Sequence, residues 1–167
     1  MVGTFSADAS TSEAIDRTLA DHDDIAANLR AAHDAAWANV DPAILEVCRL
    51  RIAQLLGNDA ELAVRTPEAA VPDDVIHALR DWPSSPLFGA SERACLAFCE
   101  QSLIDVANVT AEQTGAVADA LTVQGLADFV NALLVIEQRQ RLRLTWAKLF
   151  SDSSPGGSDG SSAPHPQ

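Results

Sequence analysis

The feature that most constrains the fold of this chain is an amphipathic helix with clear signals at both ends. Asp41-Pro42 supplies an N-cap residue followed by proline at the first helical position, which is typical of a helix start. Gly57 is the residue type that most often ends a helix. Between these signals the apolar residues recur at helical spacing and form one stripe: Leu45, Cys48, Ile52 and Leu55.

A second helix begins directly after the first, without a linker. Asn58 and Glu61 have the spacing of an N-cap and a capping-box glutamate, so a helix is predicted over about 59–70. Its N-terminus should lie inside the fold, where free N–H groups and the helix dipole favour a thiolate. Neither Asn58 nor Glu61 is a cysteine, so this helix start indicates how the chain folds more clearly than which reaction it could catalyse.

The rest of the chain also has helical spacing, and no segment alternates as a strand would. We therefore predict an all-α bundle of about six helices over 12–150, between a flexible N-terminus at 1–11 and a disordered Ser/Gly/Pro-rich tail at 151–167. Three further helices are predicted: one at about 12–38 with a Ser10–Glu13 capping box, a short one with Val75, Ile76 and Leu79, and one capped by Ser91 that carries Leu96, Phe98 and Leu103. Two more follow: one capped by Thr110 and Gln113 and ended by Gly125, and one at about 126–149 with Phe129, Leu133, Leu134, Ile136 and Leu142 inward.

Composition narrows the function classes. A chain of 167 residues that is 47% hydrophobic can form one domain with a real core. Its net charge of −13 argues against nucleic acid or an anionic membrane as partner. The sequence predicts no membrane-spanning run and no export signal, and three cysteines, an odd number, favour a reducing compartment. The predicted location is the cytoplasm.

Basic residues are concentrated on the last predicted helix. Arg139, Arg141, Arg143 and Lys148 all fall there. The basic side chains of such a cluster can form ion pairs within the chain, contact another subunit or bind an anion. Ion pairing within the chain is the commonest of these three roles.

Three segments carry a resemblance to a known family. They are LEVCRLRIAQLLG at 45–57, ALRDWPSSPLFGASERACLAF at 78–98 and LADFVNALLVIEQRQRL at 126–142. Through them the chain resembles the carboxymuconolactone decarboxylase and alkylhydroperoxidase D (AhpD-like) superfamily over roughly 29–150. The resemblance implies an all-helical subunit that assembles into a homo-oligomer, a trimer or a hexamer.

The family's peroxidase motif is changed in this chain. In the hydroperoxidase branch a Cys-x-x-Cys pair and a following histidine work with a glutamate one helix earlier. The corresponding residues here are Asn58 and Glu61 for the cysteines, Arg65 for the histidine and Glu46 for the glutamate. An amide and a carboxylate cannot form a disulfide. The decarboxylase branch also lacks the cysteine pair, and its stretch resembles Gly57-x-x-x-Glu61-Leu62-Ala63.

Glu46, Glu61 and Arg65 are the candidate site residues. Glu46 lies near the apolar stripe and therefore needs a partner, for which Arg49, Arg65 and Arg141 are available. Glu61 and Arg65 have the i,i+4 spacing of a helical ion pair. In the structural interpretation these residues form caps and salt bridges. In the functional one, Arg65 holds a substrate carboxylate and Glu46 or Glu61 moves a proton.

Other reactive residue types give weaker signals. Cys95 and Cys99 lie on one helical face, where buried packing is more common than a redox pair. The histidines show no metal-ligand spacing, and no phosphate-binding loop is visible, so neither a metal nor another cofactor is predicted.

Three functions remain open at this point. The first is a non-peroxidatic scaffold or binder of a small carboxylated ligand. The second is cofactor-independent decarboxylation or proton transfer on a carboxylated lactone. The third retains alkylhydroperoxidase-type antioxidant activity through Cys95 and Cys99.

Overall fold

A computed structural model describes residues 22–151, and all of their regular structure is helical. This confirms the predicted all-α bundle of about six helices. The predicted flexible segment 1–11, the Ser10–Glu13 capping box, residues 12–21 of the first predicted helix and residues 152–167 of the predicted tail lie outside the described residues. Ser151, the first residue of the predicted tail, is instead the last residue of a helix. The helices are α1 Asp23–Asn39, α2 Pro42–Leu56, α3 Asp59–Ala63, α4 Asp73–Ala78, α5 Ala90–Asp105 and α6 Ala111–Ser151, with 3₁₀ turns at Pro67–Ala69, Leu79–Asp81 and Val106–Asn108.

Helix α2 forms the centre of the bundle. The Asp41 carboxylate accepts hydrogen bonds from the N–H groups of Ala43 and Ile44 at 2.9 and 3.2 Å, as the N-cap prediction requires. Gly57 ends the helix in the left-handed region at φ 65°, where glycine carries no steric penalty. The helix contacts α5 and α6 and is buried on most sides, although Leu55 is 37% exposed rather than inward.

Helix α3 is much shorter than the predicted 59–70. It begins where expected, because the Asn58 side chain accepts from the Glu61 N–H at 3.3 Å. It ends at Ala63, after which Val64 and Thr66 have extended backbone angles. Thr66 precedes Pro67, and the proline ring disfavours a helical conformation for the residue before it. The chain therefore leaves the helix early and continues as a loop.

The start of α5 also differs from the prediction. The helix begins at Ala90 after Gly89, so Ser91 lies inside the first turn and does not cap it. Arg93 in that turn instead fixes the preceding loop, because its guanidinium donates to four of the loop's backbone carbonyls. These acceptors are Trp82 (3.1 Å), Pro83, Ser85 and Phe88 (3.0 Å).

Helix α6 is two helical segments joined at a break. Thr110 and Gln113 form the predicted cap at its start, since the Thr110 hydroxyl accepts from the Gln113 N–H and the Gln113 side chain accepts from the Thr110 N–H. The break lies at Thr122 (φ 75°, ψ 166°) rather than at Gly125. The Thr122 hydroxyl accepts from the Gly125 N–H at 3.2 Å and so caps the second segment.

The second segment of α6 presents one buried stripe to the bundle. Phe129 is fully buried, and its ring lies 6.1 Å from that of Phe98 between centroids. Leu134 is 56% exposed and Leu142 is half-buried, so both inward predictions were wrong: these positions lie off the stripe. The stripe continues from apolar into polar residues and consists of Phe129, Leu133, Ile136, Gln140 and Arg143.

Part of α6 leaves apolar surface uncovered. Residues Ala111–Leu149 are long and apolar enough to cross a membrane by length and composition alone, a test that the core helix of a soluble protein also passes. Only 22% of the most apolar stretch is buried within this chain. The exposed large apolar residues of this region are Val123, Val130, Leu134 and, at its end, Leu149.

Candidate functional site

Arg49 lies at the centre of a buried ion cluster and uses every N–H group it has. A guanidinium carries five N–H donors. Two of them bond the Glu46 carboxylate at 2.7 and 2.8 Å, and a third bonds the Glu61 carboxylate at 2.8 Å. The last two donate to the backbone carbonyls of Glu61 and Val64, both at 2.9 Å. Arg49 is thus fully engaged by the protein and has no donor left for a ligand.

Glu46 is engaged as completely as Arg49. Besides Arg49, its carboxylate accepts from the Thr66 hydroxyl at 2.9 Å and the Thr66 N–H at 3.2 Å. Burial by itself raises the pKa of Glu46, but the hydrogen bonds and charge of Arg49, helped by Thr66, outweigh burial and lower this pKa below its ordinary value. Glu46 is therefore held as the anion, which makes it unsuitable as a general acid.

The lowered pKa of Glu46 predicts an acid-sensitive contribution to stability. A depressed native pKa stabilises the fold above the ordinary value of 4.5, and the contribution is lost as the pH falls through the native pKa. We expect Glu46→Gln to lower the free energy of unfolding at pH 7 and the difference from wild type to shrink below pH 4.5. Urea unfolding of both proteins between pH 7 and pH 3 measures this difference in the free energy of unfolding.

Glu137→Gln provides the control for this titration. Glu137 pairs with Arg141 on a partly exposed face of α6, at 2.7 Å. Removing such a pair should change the free energy of unfolding by less than about 0.5 kcal/mol across the range. A Glu46→Gln difference that stays constant from pH 7 to pH 3 would contradict the prediction.

Glu61 joins two guanidinium groups. One carboxylate oxygen accepts from Arg49 and the other from Arg143, and all three side chains are 6% exposed. The capping-box hydrogen bond predicted from the Asn58 N–H to the Glu61 side chain is not formed, because that N–H donates to the Ala53 carbonyl at 2.8 Å. Glu46, Arg49, Glu61 and Arg143 form what we call the ion cluster, which holds two positive and two negative charges.

Arg65 lies apart from the ion cluster. Its exposed guanidinium donates to the backbone carbonyls of Leu62 and Val64, and no ion pair with Glu61 is formed. The i,i+4 argument fails because α3 ends at Ala63, two residues before Arg65. Of the three candidate residues, the structure brings Glu46 and Glu61 together through Arg49 and leaves Arg65 outside.

A pocket of about 390 Å³ lies beside the ion cluster. Its wall combines apolar side chains with convergent polar ones, which is the usual composition of a small-molecule site. It is formed by α1, Arg49 of α2, the α3 segment with the loop that follows, and α6. The lining residues are His33, Asp34, Trp37, Arg49, Glu61, Val64, Thr66, Glu68, Ile136, Arg139, Gln140 and Arg143. Glu46 and Arg65 are not among them.

The α1 wall of the pocket carries a neutral histidine. The Trp37 indole N–H donates to His33 Nε2 at 3.1 Å, so that nitrogen acts as an acceptor. Burial lowers the pKa of His33, and the positive charge of Arg139 lowers it further, while Asp34 partly opposes both. The positive charge of Arg139 on α6 therefore lowers the pKa of His33 on the opposite wall, α1.

The cysteines lie in the core and not in the pocket. Cys48, Cys95 and Cys99 are all buried, at 0 to 1% exposure. Burial raises the pKa of Cys95 to about 12, with contributions from Cys99 and Glu92, and it raises the pKa of Cys48 well above the ordinary range. A thiol that stays protonated at neutral pH is a poor peroxidatic nucleophile.

The burial of all three cysteines, together with the raised pKa values of Cys48 and Cys95, predicts unreactive thiols. We expect native protein at pH 7.5 to react with iodoacetamide at least about 100-fold more slowly than free cysteine. The same protein in 8 M urea should label at all three cysteines. Mass spectrometry of timed samples measures both. Rapid native labelling of Cys95 or Cys99 would contradict the prediction and restore the redox interpretation.

Residues 22–151 contain no group of three or more His, Cys, Asp or Glu side chains placed to hold a metal ion.

Sequence reasoning missed several pocket residues. Arg143 and Arg139 were recognised only as part of a basic cluster, and His33 only as one of the histidines without metal-ligand spacing. Gln140 was not recognised. The available signal was the 4-3-4-3 spacing from Phe129 to Arg143, which puts Gln140 and Arg143 on the buried stripe.

Comparison with known proteins does not assign this site. No protein-family model matches the chain. A search of curated proteins gives no match either.

Proposed function

We propose that this chain is a non-peroxidatic, AhpD-like helical protein that binds a small organic acid in the pocket beside the ion cluster. The observation that carries the proposal is the placement of Arg139 and Arg143 on consecutive turns of α6, both lining one pocket. Guanidinium groups are the preferred protein partners of carboxylates.

The apolar part of the wall supports a ligand with an organic body. Trp37, Val64 and Ile136 line the pocket opposite or beside the charged groups. A pocket of about 390 Å³ lies in the size range of small-molecule sites. An acid with a compact apolar body would place its carboxylate toward α6 and its body against these side chains.

Three members of the ion cluster, Glu46, Arg49 and Glu61, are structural support for the pocket in this proposal. Arg49 and Glu46 are saturated by the protein, so they hold α2, α3 and the Thr66 loop in position. Glu61 connects this support to Arg143 on α6. The binding groups are the side chains of α6, and Arg65 has no part in binding.

The proposal includes assembly of the chain into a cytoplasmic homo-oligomer, a trimer or hexamer by family resemblance. The uncovered apolar residues Val123, Val130 and Leu134 on α6 support this, because exposed apolar patches commonly mark contact surfaces. Sedimentation velocity of the purified chain measures the assembly directly.

Decarboxylation or proton transfer on a lactone has less support from the geometry. The role first assigned to Glu46 requires a carboxyl group that changes protonation, whereas the pKa of Glu46 is lowered and its oxygens are occupied. The role assigned to Arg65 requires a guanidinium in the pocket, which Arg65 does not line. The peroxidase alternative requires a reactive thiol, and the cysteines are buried.

Calorimetric titration with small monocarboxylates tests the proposal. The probes are benzoate, phenylacetate and cyclohexanecarboxylate, with benzamide as an uncharged analogue. We expect at least one acid to bind, and its amide to bind at least about 10-fold more weakly, because the guanidinium partners favour a charged oxygen pair. Arg139→Gln should weaken binding of that acid by about 10-fold or more.

Arg141→Gln is the matched control. Arg141 is an exposed arginine on the same helix, pairs with Glu137 and does not line the pocket. It should leave acid affinity within about 2-fold of wild type, since the charge removed is the same but lies on another face. Equal weakening by both variants, or no binding of any acid at millimolar concentration, would overturn the proposal.

A further inference from the structure

His33 accepts a hydrogen bond that only its neutral form can accept. The indole N–H of Trp37, one helical turn further along α1, donates to His33 Nε2 at 3.1 Å. An indole N–H can donate but not accept, so Nε2 must carry a lone pair rather than a proton. The proton of the neutral ring is then on Nδ1, which lies 3.8 Å from a carboxylate oxygen of Asp34. The hydrogen bond from Trp37 thus fixes both the charge and the tautomer of His33.

Protonation of His33 is incompatible with this hydrogen bond. In the imidazolium form both ring nitrogens are donors, so two N–H groups would face each other at Nε2 and the bond from Trp37 would be lost. The pair therefore has two mutually exclusive arrangements. In one, His33 is neutral and bonded to Trp37; in the other, His33 is charged and the two side chains each need an acceptor.

The charges around His33 lie on more than one wall of the pocket. Burial, the largest cause, lowers the pKa of His33, and the positive charge of Arg139 on α6 lowers it further. The carboxylates of Asp34 on α1 and Glu61 on α3 partly oppose this. The other charged residues that line the pocket are Glu68 in the 3₁₀ turn, and Arg49 and Arg143, which both pair with Glu61. An anion beside Arg139 would cancel the repulsion that disfavours the imidazolium.

We propose that His33 is a carboxylate-binding residue of this pocket and takes up a proton from solution when the acid binds. This inference rests on the proposed function and adds to it a binding group from α1. His33 and Trp37 are only partly buried, the His33 side chain being 26% exposed, and both line the pocket together with Arg139. A carboxylate there offers two oxygen acceptors to the imidazolium and indole N–H groups, which no longer bond each other. The proton adds to Nε2, and no covalent bond of the ligand changes.

Coupled protonation makes the affinity for acids depend on pH. If the bound acid raises the pKa of His33, protonation of His33 strengthens acid binding by the same factor. That gain is fully present below the pKa of the free protein, which lies below 6.5, and is lost as the pH rises through the higher pKa of the complex. The acids themselves stay ionised above about pH 5.5. We therefore expect affinity to fall by about 10-fold or more from pH 5.5 to pH 8.5, which corresponds to a pKa rise of about one unit or more.

Calorimetric titration of the full chain measures both the affinity and the proton. The probe is whichever of benzoate, phenylacetate and cyclohexanecarboxylate binds most tightly. At pH 6.5 the titration is repeated in PIPES and in Bis-Tris, whose ionisation enthalpies differ, because the difference in heat gives the number of protons exchanged with the buffer. We expect an uptake of about 0.3 proton or more per acid bound.

A matched pair of histidine variants assigns the proton. His33→Gln keeps an oxygen acceptor for the Trp37 indole N–H but cannot take up a proton, so its affinity should change by less than about 2-fold from pH 5.5 to pH 8.5. His77 is an exposed histidine of α4 that does not line the pocket. His77→Gln should therefore keep the pH dependence and the proton uptake of the wild type.

NMR titration of the wild-type histidine rings decides the question even if His33→Gln fails to fold. The His33 ring is recognised by its contacts with the indole of Trp37, whose ring centroid lies 6.3 Å away. Saturation with the acid should raise the pKa of His33 by about one unit or more and leave that of His77 unchanged. A pKa of His33 that is the same with and without bound acid would overturn the inference.

The outcomes separate this inference from the proposed function. Acid binding that is independent of pH and takes up no proton would overturn the role of His33 and leave the organic-acid pocket standing. Affinity that rises with pH would do the same, because the ligand would then bury the imidazole more than it attracts its charge. Full pH dependence in His33→Gln would assign the proton to another group. Absence of binding by every acid would overturn both.

Discussion

Replacing Arg49 with methionine is expected to lower the free energy of unfolding by about 3–5 kcal/mol. The variant leaves the Glu46 and Glu61 carboxylates buried without their shared cation, and it leaves the carbonyls of Glu61 and Val64 without donors. Breaking a buried pair by removing one partner costs far more than the pair contributes net. Urea unfolding at pH 7 and fixed protein concentration measures the loss.

Two further variants sharpen the Arg49 prediction. Arg65→Met removes an exposed guanidinium that bonds only local carbonyls, so it should cost less than about 0.5 kcal/mol. In the double variant Glu46→Gln/Arg49→Met, one of the stranded charges is also removed. Its destabilisation should therefore be at least about 1 kcal/mol smaller than the sum of the single effects. A loss below about 1 kcal/mol for Arg49→Met would refute the structural role of the ion cluster.

Phe129→Ala is the second large effect, with an expected loss of about 3–5 kcal/mol. Phe129 is fully buried on α6 and packs against Phe98 of α5 with its ring tilted by 54° to that of Phe98. Truncation removes that contact and leaves a cavity that two packed helices cannot fill. For a chain of this size, thermal denaturation should show a midpoint lower by roughly 6–20 °C.

An exposed apolar residue on the neighbouring helix provides a control for Phe129→Ala. Ile104 lies on α5 but is 70% exposed, so Ile104→Ala should change stability by less than about 1 kcal/mol. If Phe129→Ala and Ile104→Ala had equal effects, the packing of α5 against α6 described here would be incorrect.

The sequence correctly predicted those helix starts that are capped by a side chain close by in the chain. Asp41, Asn58 and Thr110 all cap helices as expected, because each cap acts on an N–H group two or three residues along the chain. The errors have tertiary or turn-specific causes. The loop before α5 is fixed by Arg93, and the break in α6 uses the Thr122 hydroxyl rather than the flexibility of Gly125.

The candidate site was predictable only in part. Glu46 and Arg49 are three residues apart on one helix, so a partner for the buried glutamate could be foreseen. The partner of Glu61 on α6 is 82 residues further along the chain, and no sequence spacing connects them. The prediction that Arg65 belongs to the site was wrong, because its i,i+4 spacing from Glu61 brings the two side chains together only if the helix continues to residue 65. Gln140 has an ordinary polar side chain, and only its burial marks it.

The complete engagement of Arg49 has a consequence for how such a protein diverges over time. Because Arg49 and Glu46 satisfy each other and the surrounding backbone, neither can change alone without a loss of stability. Arg65 is exposed and bonds only two local carbonyls, so it carries no comparable structural duty and substitutions there should change stability little. Over many generations we therefore expect the buried pair to be retained while exposed positions of this kind vary.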